Sequence, residues 1–150
     1  MDLPPGVPLS IEAKPAAADA EALAWSLEAY NEAAWPGHQT WQELGLFLRD
    51  AQGRILGGLT GATYAGWLSV QYFWLSAPLR GGGIGAELIA LAERKAVERG
   101  CHSAYLDTFG FQAPEFYARL GYQEFGRLPY PPRGERIFLR KTLVQPSAGV

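Results

Sequence analysis

The sequence is poor in the residues that bind metals or form disulfides. Cys101 is the only cysteine and there are two histidines, so no intrachain disulfide can form and a site of thiolates and imidazoles is hard to assemble. An excess of positive charge is also missing: 13 Lys and Arg stand against 15 Asp and Glu, a formal net charge of −2. We therefore expect no metal, no nucleic-acid partner and a reducing compartment.

Long hydrophobic runs are missing too. None reaches the ~18 residues that a bilayer span needs, and the first residues lack the basic and apolar stretches of a secretion signal. This predicts a cytoplasmic protein with no membrane partner. The composition is that of a globular protein, with 48% hydrophobic and 19% charged residues. We expect one domain over residues 1–150, with frayed ends at 1–8 and 145–150.

Periodicity predicts three helices and seven strands. The predicted strands are residues 9–13, 44–49, 55–61, 67–75, 104–108, 122–128 and 137–143. An alanine-rich helix opens at Pro15 and stops before Pro36, a second runs from Ile84 until Gly100 ends it, and a short one covers residues 113–120. This order is typical of an α+β fold, in which helices cover a mixed, mainly antiparallel sheet of about seven strands.

A glycine-rich turn joins the strand at 67–75 to the second helix. Its sequence is Arg80, Gly81, Gly82, Gly83, Ile84 and Gly85. Unpaired backbone N–H groups converge at such a helix N-terminus, and the helix dipole adds about half a positive charge. A dinucleotide fingerprint would instead open a parallel βαβ unit and carry an acidic residue ~20 positions on. The turn therefore predicts a phosphate-binding loop outside a Rossmann unit.

The pattern Arg80-x-x-Gly83-x-Gly85 after a long hydrophobic strand resembles the coenzyme A loop of the GNAT family of N-acetyltransferases. The likeness continues downstream, where a short helix places Tyr117 just before a Leu-Gly-Tyr step at residues 120–122. With the first helix in its expected place, it covers nearly the whole chain. The resemblance implies the fold of that family, with a V-shaped splay between the fourth and fifth strands.

The resemblance also implies acetyl-coenzyme A as cosubstrate, bound in the splay, and direct attack of an amine on its thioester. Tyr117 would be the general acid that protonates the departing thiolate. The implied cofactor-binding residues are Phe73, Trp74, Leu75, Arg80, Gly81, Gly82, Gly83, Ile84, Gly85, Ala86 and Thr108. Trp35, Trp41 and Gln71 are candidate substrate contacts, with core packing the alternative for the two tryptophans. Cys101 follows the helix-ending glycine, away from the loop, so a covalent acyl-enzyme is not expected.

Two positions depart from the family pattern. Gln71 stands where relatives often place a carboxylate, and an amide cannot accept a proton as a base. The identity of the general base is therefore open. A water relay could lead to Glu115, to Asp107 or to the Tyr72 hydroxyl, and each of these residues could also be structural. Gly110 replaces an Asn that often precedes the tyrosine by seven residues, so any role of that Asn is in doubt.

The sequence leaves three functions open. The leading hypothesis is acetyl transfer to a primary amine of a small molecule, such as an amino acid, polyamine or aminoglycoside, or of a peptide. A non-catalytic acyl-coenzyme A sensor is the alternative, favoured by Gln71 and opposed by Tyr117. A domain without a ligand is the third. His38 is expected in solvent and His102 in a structural role, and a homodimer fits the habits of the family.

Overall fold

The computed structural model describes residues 2–145, and the chain divides into two compact units, Met1–His38 and Gln39–Val150. The first unit contains helix α1, Ala17–Ala34, which follows the extended residue Ala16. Asp19 in its first turn interacts favourably with the helix dipole. The helix ends just before Pro36, because proline cannot continue it. The predicted alanine-rich helix is therefore confirmed.

The predicted strand at residues 9–13 is wrong, because these residues have no regular secondary structure. Leu9 and Ile11, which produced the apolar alternation, are 65% and 95% exposed. Alternation marks two faces of an extended segment, but a strand also needs a hydrogen-bonded neighbour, and no strand among residues 2–145 pairs with this one. Residues 2–8 also lack helix and strand, and the predicted frayed end at 145–150 lies outside the described residues except for Gln145.

Within residues 39–145, the second unit has one sheet of six strands, and the seven-strand prediction is too high by one; the strand order is β1-β2-β3-β4-β6-β5. The strands are β1 Gln42–Arg49, β2 Ile55–Tyr64, β3 Trp67–Leu75, β4 Ser103–Phe109, β5 Gln123–Pro129 and β6 Glu135–Thr142. Helix α2, Ile84–Glu98, joins β3 to β4, and helix α3, Pro114–Arg119, joins β4 to β5. Only β3 and β4 are parallel neighbours. The mixed, mainly antiparallel sheet is therefore confirmed.

Two tight turns set the register of the first three strands. Between β1 and β2, the Asp50 carboxylate accepts hydrogen bonds from the backbone N–H groups of Gln52 and Arg54, both at 2.9 Å. Between β2 and β3, Ala65 and Gly66 both have positive φ, 48° and 87°, as two-residue hairpin turns of this hand require. These turns bring β3 to the middle of the sheet, where it borders the site.

The core lies between α2 and one face of the sheet. The buried apolar residues are Leu88, Ile89, Ala92 and Ala96 of α2, with Leu59, Leu68, Leu106, Ile137 and Leu139 of the strands. Each buried leucine or isoleucine stabilises the fold by about 1.5–3 kcal/mol. We call this side of the sheet the inner face. Side chains alternate along strands, so Tyr72, Trp74 and Asp107 belong to the opposite, outer face.

Candidate active site

A cleft opens where β3 and β4 separate. The two strands pair only between residues 67–70 and 103–106, and then diverge. The register of β2 and β3 shifts between Thr60 and Gly61, which leaves Gln71 of β3 in a bulge. A bulge bends its strand, so it accounts for the divergence. The cleft between the strands has a volume of about 970 Å³, and it confirms the splay expected between these strands.

Most of the residues expected to bind the cofactor line this cleft. They are Phe73, Trp74, Leu75, Arg80, Gly81, Gly83, Gly85, Ala86 and Thr108. Gln71 and Tyr117 line it as well. Gly82 and Ile84 do not line it, although both belong to the same loop. One cleft therefore brings together the glycine loop, the strand-borne side chains and the candidate acid.

The glycine loop presents unpaired donors to the cleft. Within the described part of the chain, nothing accepts a hydrogen bond from the backbone N–H groups of residues 81–86. Gly83, just before α2, has φ 86°, and a Cβ added at Gly81, Gly82 or Gly83 would meet no atom within 4 Å. The Arg80 guanidinium donates to the Leu75 carbonyl at 2.9 Å and holds the loop to the end of β3. Converging free amides at a helix N-terminus fit a phosphate group.

An aromatic wall lines the inner side of the cleft. The Phe73 and Phe116 rings stack with centroids 5.7 Å apart, and Tyr117 meets both edge-on, at 6.4 and 5.1 Å. Gly85 lies beneath this wall, where an added Cβ would come within 3.2 Å of the Phe73 and Phe116 rings. The absence of a side chain at Gly85 therefore lets the aromatic residues pack close to the loop.

Tyr117 is buried, and its position on α3 turns it toward the cleft. Pro114 opens the helix and Gly121, with φ 95°, follows it. Burial raises the pKa of the Tyr117 phenol to about 12, and the negative charge of Asp107 contributes to the rise. The hydroxyl is therefore protonated at neutral pH and can donate a hydrogen bond or a proton.

Asp107 lines the cleft from the outer face, and Arg136 holds it. The Arg136 Nε donates to Asp107 Oδ1 at 2.7 Å, and this hydrogen bond raises the pKa of the guanidinium. Tyr72 and Trp74, 77% and 53% exposed, line the same cleft from β3. Of the groups considered for the base, Asp107 and Tyr72 border the cleft and Glu115 does not.

Gln112 also lines the cleft, although no pattern in the sequence pointed to it. Its Oε1 accepts hydrogen bonds from the Phe109 backbone N–H at 2.7 Å and from the Thr108 hydroxyl at 3.1 Å. A backbone N–H can only donate, so this contact settles the orientation of the amide and leaves the Gln112 NH₂ group as a donor. The Asn that relatives often place seven residues before the tyrosine corresponds here to Gly110, two residues before Gln112. Arg119 was missed for a similar reason, since only the turn of α3 brings it to the cleft.

The histidine expected in solvent, His38, is instead buried. Its Nε2 lies 2.6 Å from Glu28 Oε1, and its Nδ1 lies 3.1 Å from Glu32 Oε2. Burial lowers the pKa of His38, but the Trp35 carbonyl and the two carboxylates outweigh it and raise the pKa above 6.5. The turn at residues 35–37 places His38 against the two carboxylates of α1, and the spacing of residues in the sequence does not predict this contact.

The remaining candidates have structural contacts. Trp35 belongs to the first unit, where its ring lies 5.8 Å from the His38 ring. Trp41 does not line the cleft, and its ring lies 6.4 Å from that of Tyr64. Cys101 is buried, its thiol donates to Gln39 Oε1 at 3.5 Å, and burial raises its pKa. A buried thiol with a raised pKa is a poor nucleophile.

The described residues contain neither a metal-binding cluster nor a membrane-spanning helix. Residues 2–145 contain no group of three His, Cys, Asp or Glu side chains placed to hold a metal ion. In the same range, no helix combines the length and the apolar character that crossing a membrane requires.

Comparison with known proteins extends the resemblance. The model of the acetyltransferase (GNAT) family matches residues 15–122. An acetyltransferase of Agrobacterium fabrum is 38% identical over 123 residues, which cover 80% of this chain and 89% of the relative. The blasticidin-S acetyltransferase of Streptomyces morookaense is 45% identical over 83 residues, which cover 54% of this chain and 61% of the relative. A crystal structure of an acetyltransferase from Agrobacterium tumefaciens superposes with a TM-score of 0.82 at 33% identity, over 91% of this chain and 99% of that one.

Proposed function

Because the chain belongs to the GNAT family of acetyltransferases, we propose that it transfers the acetyl group of acetyl-coenzyme A to a primary amine of a small molecule, with Tyr117 as the general acid. Family membership makes it an acetyl-coenzyme A-dependent acyltransferase. The observation that supports the proposed amine acceptor and acid role is that one cleft is lined both by the glycine loop, whose amides at residues 81–86 are free, and by the buried Tyr117.

The glycine loop fits the pyrophosphate of coenzyme A. The N–H groups of residues 81–86 lack protein acceptors, and they stand at the positive end of the α2 dipole. Phe73 and Leu75 on β3 and Thr108 on β4 then line the path between this loop and Tyr117. The bound cofactor supplies an activated thioester, and the side chains of the cleft orient it and exclude water.

Tyr117 acts on the sulfur while the carbon–sulfur bond breaks. The amine nitrogen attacks the thioester carbonyl, a carbon–nitrogen bond forms, and the sulfur leaves with the electron pair. Since the pKa of the Tyr117 phenol is about 12, the group is neutral beforehand and donates its hydrogen bond to the sulfur as negative charge develops. Its proton passes to the thiolate, and the phenolate regains a proton from water, while the proton lost by the amine goes to a separate base.

Asp107 is the candidate for receiving the proton of the amine. It is the one carboxylate among the residues lining the cleft within the described chain, and it belongs to the outer face, across the sheet from Tyr117. Arg136 occupies Oδ1. Oδ2 is thus left to accept from the ammonium group or from a bridging water, while Gln71 can contribute a hydrogen bond but no base.

The acceptor class that we propose is an amine-bearing antibiotic. The support is the 45% identity to a protein named blasticidin-S acetyltransferase. The exposed aromatic rings of Tyr72 and Trp74 line the cleft from the outer face of the sheet, as Asp107 does. Such rings bind organic molecules by stacking, and a carboxylate binds an ammonium group. Blasticidin S is therefore the first acceptor to test, with aminoglycosides and free amino acids as comparisons.

The test is release of coenzyme A thiol from acetyl-coenzyme A in the presence of each amine, with the product identified by its mass. We expect turnover with at least one antibiotic amine, and Tyr117→Phe should lower kcat by at least ~100-fold. Its affinity for coenzyme A should stay within about twofold, because the phenol acts on the transition state. Tyr105→Phe is the matched control, since Tyr105 does not line the cleft.

The alternative, an acyl-coenzyme A sensor, rests on the amide of Gln71, which lies in the β3 bulge and cannot act as a base. The same assay separates the two functions. Binding of coenzyme A with no turnover on any amine of the panel would favour the sensor, whereas full activity of Tyr117→Phe would remove only the general acid from the proposal.

A further inference from the structure

A partly buried charged cluster lies next to Tyr117, outside the cleft. Lys141 of β6 donates to Glu93 of α2 through Nζ, at 3.0 Å to Oε1 and 2.9 Å to Oε2. The Tyr122 hydroxyl donates to the same Glu93 Oε1 at 3.1 Å. The side chains of Glu93 and Lys141 are only 14% and 25% exposed. None of these three residues lines the cleft.

Tyr122 is attached to Tyr117 through both its main chain and its ring. Its backbone N–H donates to the Tyr117 carbonyl at 3.0 Å, which closes the end of α3. Its ring meets the Tyr117 ring edge-on, with centroids 6.1 Å apart and planes at 77°. Lys141 Nζ lies 5.6 Å from the centre of the Tyr122 ring. The Tyr117 ring thus contacts the rings of Phe73, Phe116 and Tyr122.

Core packing alone does not explain the cluster of Glu93, Lys141 and Tyr122. Taking a carboxylate and an ammonium out of water is costly, and such a pair is often no more stabilising than apolar side chains of the same volume. A phenylalanine at position 122 would fill the same space with an apolar ring, but it would lack the hydroxyl that fixes the orientation of this ring. The hydroxyl adds a directed bond to a carboxylate that Lys141 already fixes, so the Tyr122 ring has one defined orientation.

We infer that Tyr122, held by Glu93 and Lys141, is a positioning residue that fixes the Tyr117 ring in the cleft. This inference rests on the proposed role of Tyr117 as general acid. A displacement of about 1 Å in a catalytic group can cost about 100-fold in rate, so even a small freedom of the Tyr117 ring should be visible in kcat. Acetyl-coenzyme A binding should be spared, because none of the three residues of the cluster lines the cleft.

The first test is Tyr122→Phe, which removes one oxygen and keeps the ring. We expect kcat to fall about tenfold, while KM for acetyl-coenzyme A stays within about twofold. Glu93→Gln should also lower kcat, since it weakens the bond to Tyr122. Glu98→Gln is its matched control on α2, because Glu98 pairs with Lys95 at 3.2 Å on the exposed side of the helix.

The second test adds Tyr117→Phe to Tyr122→Phe. A positioning residue works through the Tyr117 hydroxyl, so the double variant should be no slower than Tyr117→Phe alone. A merely structural tyrosine would instead lower kcat by the same factor in both backgrounds, and that result would overturn the inference. So would an unchanged kcat in Tyr122→Phe.

A crystal structure of Tyr122→Phe supplies a readout that does not depend on activity. We expect the Tyr117 ring to be displaced or to occupy more than one position. An unmoved, well-ordered Tyr117 ring contradicts the inference whatever the kinetics show. A displaced ring together with full activity of Tyr117→Phe would contradict the acid role alone, so the two proposals fail separately.

Discussion

At the scale of single residues, the proposed general acid is a phenol that is unusually hard to ionise. Burial and then the charge of Asp107 raise the pKa of Tyr117 to about 12. A group with a raised pKa keeps its proton in the folded state, so the fold gains stability below the ordinary phenol pKa of about 10 and loses it as the pH rises from there toward 12. Tyr117 is therefore uniformly protonated over the pH range in which enzymes are usually assayed.

This gives a prediction for the pH dependence of kcat. Between pH ~6 and ~10, no change of slope should arise from Tyr117. The profile of Tyr117→Phe should then have the shape of the unaltered enzyme at a lower level, measured with saturating acetyl-coenzyme A. A decline in kcat below pH ~10 that disappears in Tyr117→Phe would mean that the phenol ionises more easily than its burial indicates.

At the scale of elements, the glycine loop is the part whose backbone conformation matters most. Gly83 has φ 86° and precedes the first residue of α2, whereas Gly82 has no positive φ and also has open space at its Cβ position. A left-handed conformation costs a residue with a Cβ roughly 1–2 kcal/mol. Substitution of each glycine by alanine therefore separates the effect of backbone conformation from the effect of added volume.

The prediction is that Gly83→Ala weakens coenzyme A binding by about tenfold, because relief of the strain turns the amides of the loop away from the phosphate. Gly82→Ala should bind within about threefold of the unaltered protein. Isothermal titration calorimetry of both variants measures the difference. Equal losses in the two variants would show that the cofactor is sensitive to added volume rather than to the conformation at Gly83.

Local patterns predicted most elements but not their partners. The span of β3 matched the prediction, residues 67–75, because aromatic and β-branched residues between two glycine turns leave little choice. Around Leu9 and Ile11, apolar and polar residues alternate as they do in a strand. This alternation does not show whether a neighbouring strand is available to pair with the segment. The bulge at Gln71 and the hydrogen bonds of Gln112 arise from register and loop shape, which no spacing in the sequence specifies.

At the scale of the whole molecule, binding of the cofactor should stabilise the fold. A ligand that binds only the native state at 100 times its dissociation constant adds about 2.7 kcal/mol to the free energy of unfolding. For a protein of this size, 1 kcal/mol raises Tm by about 2–4 °C, so saturating coenzyme A should raise Tm by about 5–10 °C. Adenosine, which lacks the pyrophosphate, the 3′-phosphate and the pantetheine arm, is the control and should shift Tm far less. The increase should persist in Tyr117→Phe and shrink in Gly83→Ala, because Gly83, unlike Tyr117, belongs to the proposed phosphate-binding loop. If coenzyme A and adenosine gave equal shifts, the amides of residues 81–86 would not be the phosphate site.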